Sequence, residues 1–155
     1  MHMHKYERLW LTIGSTLLIV FLIILAIQTL VFKSAPPSHQ EMIDPQKVHT
    51  TPPFDNPGVV QVGENEYEAT IISLAFGYTP DEIVIPRGSK VNFTVTSTDV
   101  LHGFQVPNTT INTMIVPGQI SKFSYVFDKP GEYLNICNEY CGAGHQVMMS
   151  KIIVE

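Results

Sequence analysis

The chain has 155 residues, with nine Lys and Arg against fourteen Asp and Glu, a formal net charge of −5 and 45% hydrophobic residues. That length holds one ordinary domain and an appendage, and the acidic balance disfavours a nucleic-acid partner, whose phosphates demand a basic surface. Charge is also uneven: residues 59–155 carry five Lys/Arg and ten Asp/Glu, while the remainder balances at four against four, so the domain itself is acidic, a charge that either steers a basic soluble partner to it or simply keeps it soluble.

Leu9 to Phe32 are 24 residues without a charged side chain. At about 1.5 Å per residue they would span roughly 36 Å, enough to cross a bilayer with some tilt. A cleaved signal peptide has an apolar region of about 7–15 residues ending in a small-residue site, whereas this run is longer and leads into Lys33 and the pair Pro36-Pro37. Lys5 and Arg8 precede the span, Lys33 alone follows it closely, and Trp10 lies near the membrane face. The excess of positive charge predicts residues 1–8 in the cytoplasm, a transmembrane helix over residues 9–32 and everything later outside. In that oxidising space a disulfide becomes a real alternative for the two cysteines.

Residues 33–58 hold six prolines and little apolar periodicity, which predicts an extended tether without a core of its own. His39 and His49 in it, and His2 and His4 at the N-terminus, are read as solvated. From residue 59 to 155 the pattern changes to short β-branched and aromatic runs. Strands are predicted over Val59–Val62, Glu66–Leu74, Glu82–Ile85, Lys90–Ser97, Gly103–Val106, Thr110–Val116, Ile120–Phe127, Gly131–Ile136 and Val147–Val154. Pro80, Pro86-Arg87-Gly88, Pro107-Asn108, Pro117-Gly118 and Lys129-Pro130-Gly131 punctuate them. Val91, Phe93 and Val95 alternate with polar residues and should face the core. Nothing after Phe32 reads as a long amphipathic helix, so the domain is mainly β, a two-sheet Greek-key sandwich.

The stretch Cys137-Asn138-Glu139-Tyr140-Cys141-Gly142-Ala143-Gly144-His145-Gln146-Val147-Met148 contains both cysteines, spaced C-x3-C-x3-H-x2-M. Thiolate, imidazole and thioether form a soft-to-intermediate ligand set that favours copper, then zinc, over hard cations. A disulfide between residues four apart is awkward, because the Cα atoms must lie within about 7 Å with suitably aimed Cβ vectors, and it leaves His145 and Met148 unexplained. Tetrahedral zinc could take both cysteines and two histidines but has no use for a thioether. Mononuclear blue copper would use His102, one cysteine, His145 and Met148, with a cysteine left over. Two thiolates can instead bridge two copper ions, leaving a histidine for each metal, with Met148 and a backbone carbonyl as weak ligands. A site with every position filled suits electron relay and not substrate chemistry.

Asp99-Val100-Leu101-His102-Gly103-Phe104, followed by the Cys137–Met148 stretch, resembles the copper A domain of haem–copper oxidase subunit II. The likeness runs through Leu74-Ala75-Phe76-Gly77-Tyr78-Thr79-Pro80 and Pro130-Gly131-Glu132-Tyr133 and includes the single N-terminal span. Among subunits II it is most similar to the short, single-span ba3-type (B-family) ones; mitochondrial-type subunits carry two spans. The resemblance implies a cupredoxin-like sandwich holding a dinuclear copper centre and no haem in this chain. It implies that Cys137 and Cys141 bridge the coppers, with His102 and Met148 on one and His145 and the main-chain carbonyl of Glu139 on the other. The H-x2-M spacing selects Met148 over Met149, and Met114 is read as core. Asp99 is expected to hold loop geometry and not metal. Phe76 and Tyr78 fall in the matched segment where an electron-entry surface could form.

The function implied is electron entry for a terminal oxidase in a prokaryotic cell membrane. Electrons would come from cytochrome c, or a similar soluble donor, outside the membrane and pass to haem in subunit I, where oxygen is reduced. The alternative is a membrane-anchored copper-delivery protein, whose exchangeable site would need fewer ligands than the six that converge here.

Overall fold

The computed structural model describes residues 4–31 and 38–155, which divide into two units, residues 1–36 and 37–155. In the first, helix α1 runs from Lys5 to Leu30 and is long and apolar enough to cross a membrane. The apolar residues of α1 are spread over every face, and none of them is buried. Two of its threonine hydroxyls are satisfied within the helix: Thr12 donates to the Arg8 carbonyl at 2.8 Å and Thr29 to that of Leu25 at 3.0 Å. Both are therefore tolerated where water is absent. Phe32 and Lys33 lie outside the described residues.

The second unit is a sandwich of two sheets. One contains β1 (Ser38–Met42), β9 (Gln119–Val126), β6 (Lys90–Ser97), β3 (Glu66–Leu74) and β2 (Gly58–Gly63) in that order, with the short β4 (Gly77–Thr79) paired to β3. The other contains β5 (Glu82–Ile85), β11 (Met149–Val154), β10 (Gly131–Ile136), β7 (His102–Gln105) and β8 (Asn112–Ile115). β3 pairs with β6 and β5 with β11 in parallel; the remaining pairs are antiparallel. Val91, Phe93 and Val95 do face the core, each at most 1% exposed. Phe93 stacks on its cross-strand partner Phe123 at 5.0 Å between ring centres, and Phe104 and Phe127 meet Phe93 at tilted and edge angles. This inward alternation is what clamps the two sheets together.

The expected tether over residues 33–58 is corrected by the structure from residue 38 onward. Ser38–Met42 forms edge strand β1, paired with β9, and Pro45–Thr50 forms a 3-10 turn capped by the Asp44 side chain, which accepts from the Gln46 N–H. Val48 and Phe54 are fully buried and, with Ile43, pack on Ile72, Ile120 and Leu74 in a second core. Three apolar residues spaced five and six apart show no helical or strand period, and so escape pattern reading; the prolines shape turns that bring them onto the outer face of the sheet. Elsewhere, Gly77–Thr79 is an added strand, and Val147 belongs to the 3-10 turn His145–Val147, so that β11 starts only at Met149. Met114, expected in the core, is 51% exposed on β8.

The second core predicts that Phe54→Ala lowers the stability of a soluble piece spanning residues 37–155 by about 3–5 kcal/mol in urea unfolding, the cost of emptying a buried aromatic site. A loss below about 1 kcal/mol would show that residues 43–57 merely lie on the surface.

Candidate metal centre

Three neighbouring strands of the second sheet end at one place. β10 stops at Ile136 opposite Met149, and the Cys137 N–H extends the ladder by donating to the Met148 carbonyl at 3.2 Å. Cys137 and Met148 are thus cross-strand neighbours. On the other side of β10 lies β7, whose first residue is His102. The loop from Asn138 to Val147 folds back over this end and returns Cys141 and His145. Bonds from His145 N–H to the Gly142 carbonyl and from Met148 N–H to the His145 carbonyl hold its second half.

The side chains converge. Cys137 and Cys141 are free and buried, with their sulfurs 3.9 Å apart, far beyond the roughly 2.05 Å of a disulfide. His102, Cys137 and Cys141 bring their ligand atoms within 4.8 Å of one another. Met148 Sδ lies 3.5 Å and His145 Nδ1 3.7 Å from Cys141 Sγ, and the Glu139 carbonyl oxygen lies 3.1 Å from Cys137 Sγ. Met148 is 2% exposed whereas Met149 is 47% exposed on the opposite side of the chain.

His102 supplies the test of whether these residues suit a metal. Its ring is completely buried, Nε2 is 2.8 Å from Asp99 Oδ1, and Nδ1 has no hydrogen-bond partner among the described residues. An orphaned buried ring nitrogen beside two thiols is costly unless something binds it, and a soft metal would satisfy nitrogen, sulfurs and thioether together. Burial, and then the neighbouring Cys137 thiol, push the Cys141 thiol up to about 11. The Cys141 thiol therefore resists ionisation without a metal, and a metal entering here displaces its proton.

Asp99 touches no thiol. One oxygen accepts from the Val100 N–H at 2.7 Å and meets His102, and the other accepts from the Ala75 N–H at 2.6 Å. Partial burial works to raise its carboxyl, but the His102 ring and the two N–H groups outweigh it and hold the group below the ordinary carboxylate range. This carboxylate joins the His102 loop to the turn carrying Phe76. The Phe76 ring, 41% exposed, lies on the Cys137–Met148 loop: a Cβ at Gly144 would run into the ring and one at Gly142 would stand 3.0 Å from its edge. Gly142 also has φ +127°, which disfavours a side chain.

Tyr78 corrects the expected entry surface. It is 4% exposed, because β4 turns it inward, where its hydroxyl donates to the Gly103 carbonyl and its ring meets Phe104 edge-on at 5.7 Å. Burial, then the adjacent Cys137, raise its phenol far above the usual range. Tyr140, which sequence reasoning missed, is 80% exposed beside the His145 ring, 5.9 Å between centres. Its place between the cysteines was the available signal. Gly103 was read as part of a motif; its reason is steric, since a Cβ there would collide with the Asn138 side chain.

Comparison with known proteins identifies the family. The family model for cytochrome c oxidase subunit II, periplasmic domain, matches residues 64–155. A cytochrome c oxidase subunit 2 of Thermus thermophilus is 42% identical over 155 residues, covering 97% of this chain and 92% of that protein. A subunit 2 from Eremothecium gossypii is 42% identical over 74 residues, 48% of this chain and 30% of its own length. Among solved structures, a chain of a haem–copper terminal oxidase dimer superposes with TM-score 0.78 and 31% identity, over 97% of this chain and 100% of that one. The periplasmic domain of subunit II from Bradyrhizobium japonicum, at TM-score 0.53 and 20% identity over 57% of this chain and 83% of that one, shares the fold. On the family match and the Thermus relative together, this chain belongs to the cytochrome c oxidase subunit II family.

Proposed function

We propose that the chain is the electron-entry subunit of a membrane haem–copper oxidase, in which Cys137 and Cys141 would together hold a pair of copper ions. His102 and Met148 would complete the ligands of one copper, and His145 and the Glu139 carbonyl those of the other. The observation that carries this is the orphaned Nδ1 of buried His102 beside two free thiols, with a thioether and a second imidazole within 4 Å of Cys141. A copper pair bound there supplies a one-electron store spread over both metals.

The protein's part is rigidity and insulation. Asp99 fixes the His102 ring through Nε2 and leaves Nδ1 for the metal. The Gly103 N–H points at Cys137 Sγ at 3.3 Å, where it stabilises negative charge on sulfur. Phe76 and the glycines beneath it keep the ligand loop in one shape. With bulk water held off Cys137, Cys141 and Met148 by burial, little has to rearrange when charge changes. Electrons enter from cytochrome c or a comparable soluble donor on the exposed side of the loop, where Phe76, Tyr140 and Val147 present apolar surface, and leave to haem in subunit I. Helix α1 holds the subunit in the membrane, with Lys5 and Arg8 placing the N-terminus inside and the copper domain outside.

Copper loading of the full-length chain in detergent should give two copper ions per chain and an electron paramagnetic resonance spectrum with coupling to both nuclei. One copper per chain with coupling to a single nucleus sinks the pair. Met148→Leu should change that spectrum and Met149→Leu leave it as it is; equal changes would place the thioether ligand wrongly.

Asp99 has a pH signature. Its carboxyl is held low in the fold, so its stabilising effect is present above the unfolded value of about 3.9 and is lost as pH falls through the lower folded value. Asp99→Asn in the metal-free chain should therefore lower the urea midpoint at neutral pH, and the gap to wild type should close as pH falls from about 7 to about 2. A gap of constant size would mean that the charge is not what Asp99 contributes.

A further inference from the structure

The first half of the metal loop poses a problem that the ligand list leaves open. A main-chain carbonyl is a weak ligand, and nothing in its chemistry forces it toward a metal. Among the described residues the Glu139 oxygen accepts only from the Cys137 thiol, and the loop's own backbone bonds lie between Gly142 and Met148. Residues 138–140 must therefore be held from outside.

Asn138 does this in two ways. Its side-chain amide donates to Asn112 Oδ1 on β8 at 3.0 Å, the one side-chain hydrogen bond from residues 138–140 to a strand among the described residues. To reach Asn112 it crosses β7 directly over Gly103. A Cβ on Gly103 would collide with the Asn138 side chain and stand 2.7 Å from its backbone nitrogen. The residue after Cys137 is thus pressed against the residue after His102, and the Gly103 N–H reaches Cys137 Sγ at 3.3 Å across the same contact.

Building on the copper-pair reading above, we infer that Asn138 is a positioning residue whose side chain, wedged over Gly103 and bonded to Asn112, sets the direction of the Glu139 carbonyl and its distance from the metal. Asn138 and Asn112 are both exposed, so losing their bond costs the core nothing. The effect belongs to the site: without the bond, the segment between the cysteines is free to turn its carbonyl away while both thiolates stay in place.

The test compares copper-loaded full-length chain in detergent as wild type, Asn138→Ala, Asn112→Ala and the double variant. Copper stoichiometry is expected to stay the same in all four. Both single variants should displace the paramagnetic resonance hyperfine pattern and the reduction potential in the same direction, and should speed copper loss to a chelator by up to about ten-fold, the low end for loss of an outer-shell partner. The double variant should add nothing to Asn138→Ala, because both substitutions remove one bond. Asn112→Ala matching wild type, or shifts that add in the double variant, would overturn the inference. A wild-type spectrum of mononuclear copper instead sinks the copper pair itself, and is seen before any variant is compared.

Discussion

The antiparallel ladder of β10 and β11 is the constraint on which the centre depends. Because Ile136 faces Met149, the next pair outward is Cys137 and Met148, and a thiol and a thioether are delivered to one side of the sheet by strand geometry alone. β7, as the neighbour on the far side of β10, brings His102 to the same end. Cys141, His145 and the Glu139 carbonyl require a loop to find their places. The site therefore inherits its precision from hydrogen-bonded strands, and the loop has few side chains left to place.

Around that ladder a second layer limits what the loop can do. Phe76 rests on it from the β3–β4 turn, Asp99 ties that turn to His102, and the cap of residues 43–57 packs under Leu74 at the end of the same strand. A segment reading as a spacer thus supports, through Leu74 and Ala75, the aromatic that lies over the ligand loop. Polar and apolar contacts act on the same few residues here, which keeps the candidate metal site rigid at the edge of the domain.

How much of this was legible depended on whether a feature was periodic, spaced or contingent. Strands such as Lys90–Ser97 alternate cleanly and were found with their inward faces. The ligand spacing between Cys137 and Met148 is local, so copper chemistry could be argued before any coordinates. Val48 and Phe54 were invisible because their burial depends on turns and not on a repeat. Tyr78 could be read as a surface or a core aromatic, because nothing in Gly77-Tyr78-Thr79 says which way a three-residue strand will face. Asn138 over Gly103 is a contact between segments far apart in the chain, and no single-chain pattern records it.

The fit of Phe76 against Gly142 and Gly144 has an evolutionary consequence. The ring occupies the volume that side chains at the two glycines would fill, so the three positions cannot drift independently: a bulkier residue in the loop is viable only after the aromatic shrinks or swings out. Between the two lies an intermediate with either a hole or a clash. Exchange of ligand loops among related sandwiches should accordingly be blocked or permitted by a residue far upstream, one that binds no metal.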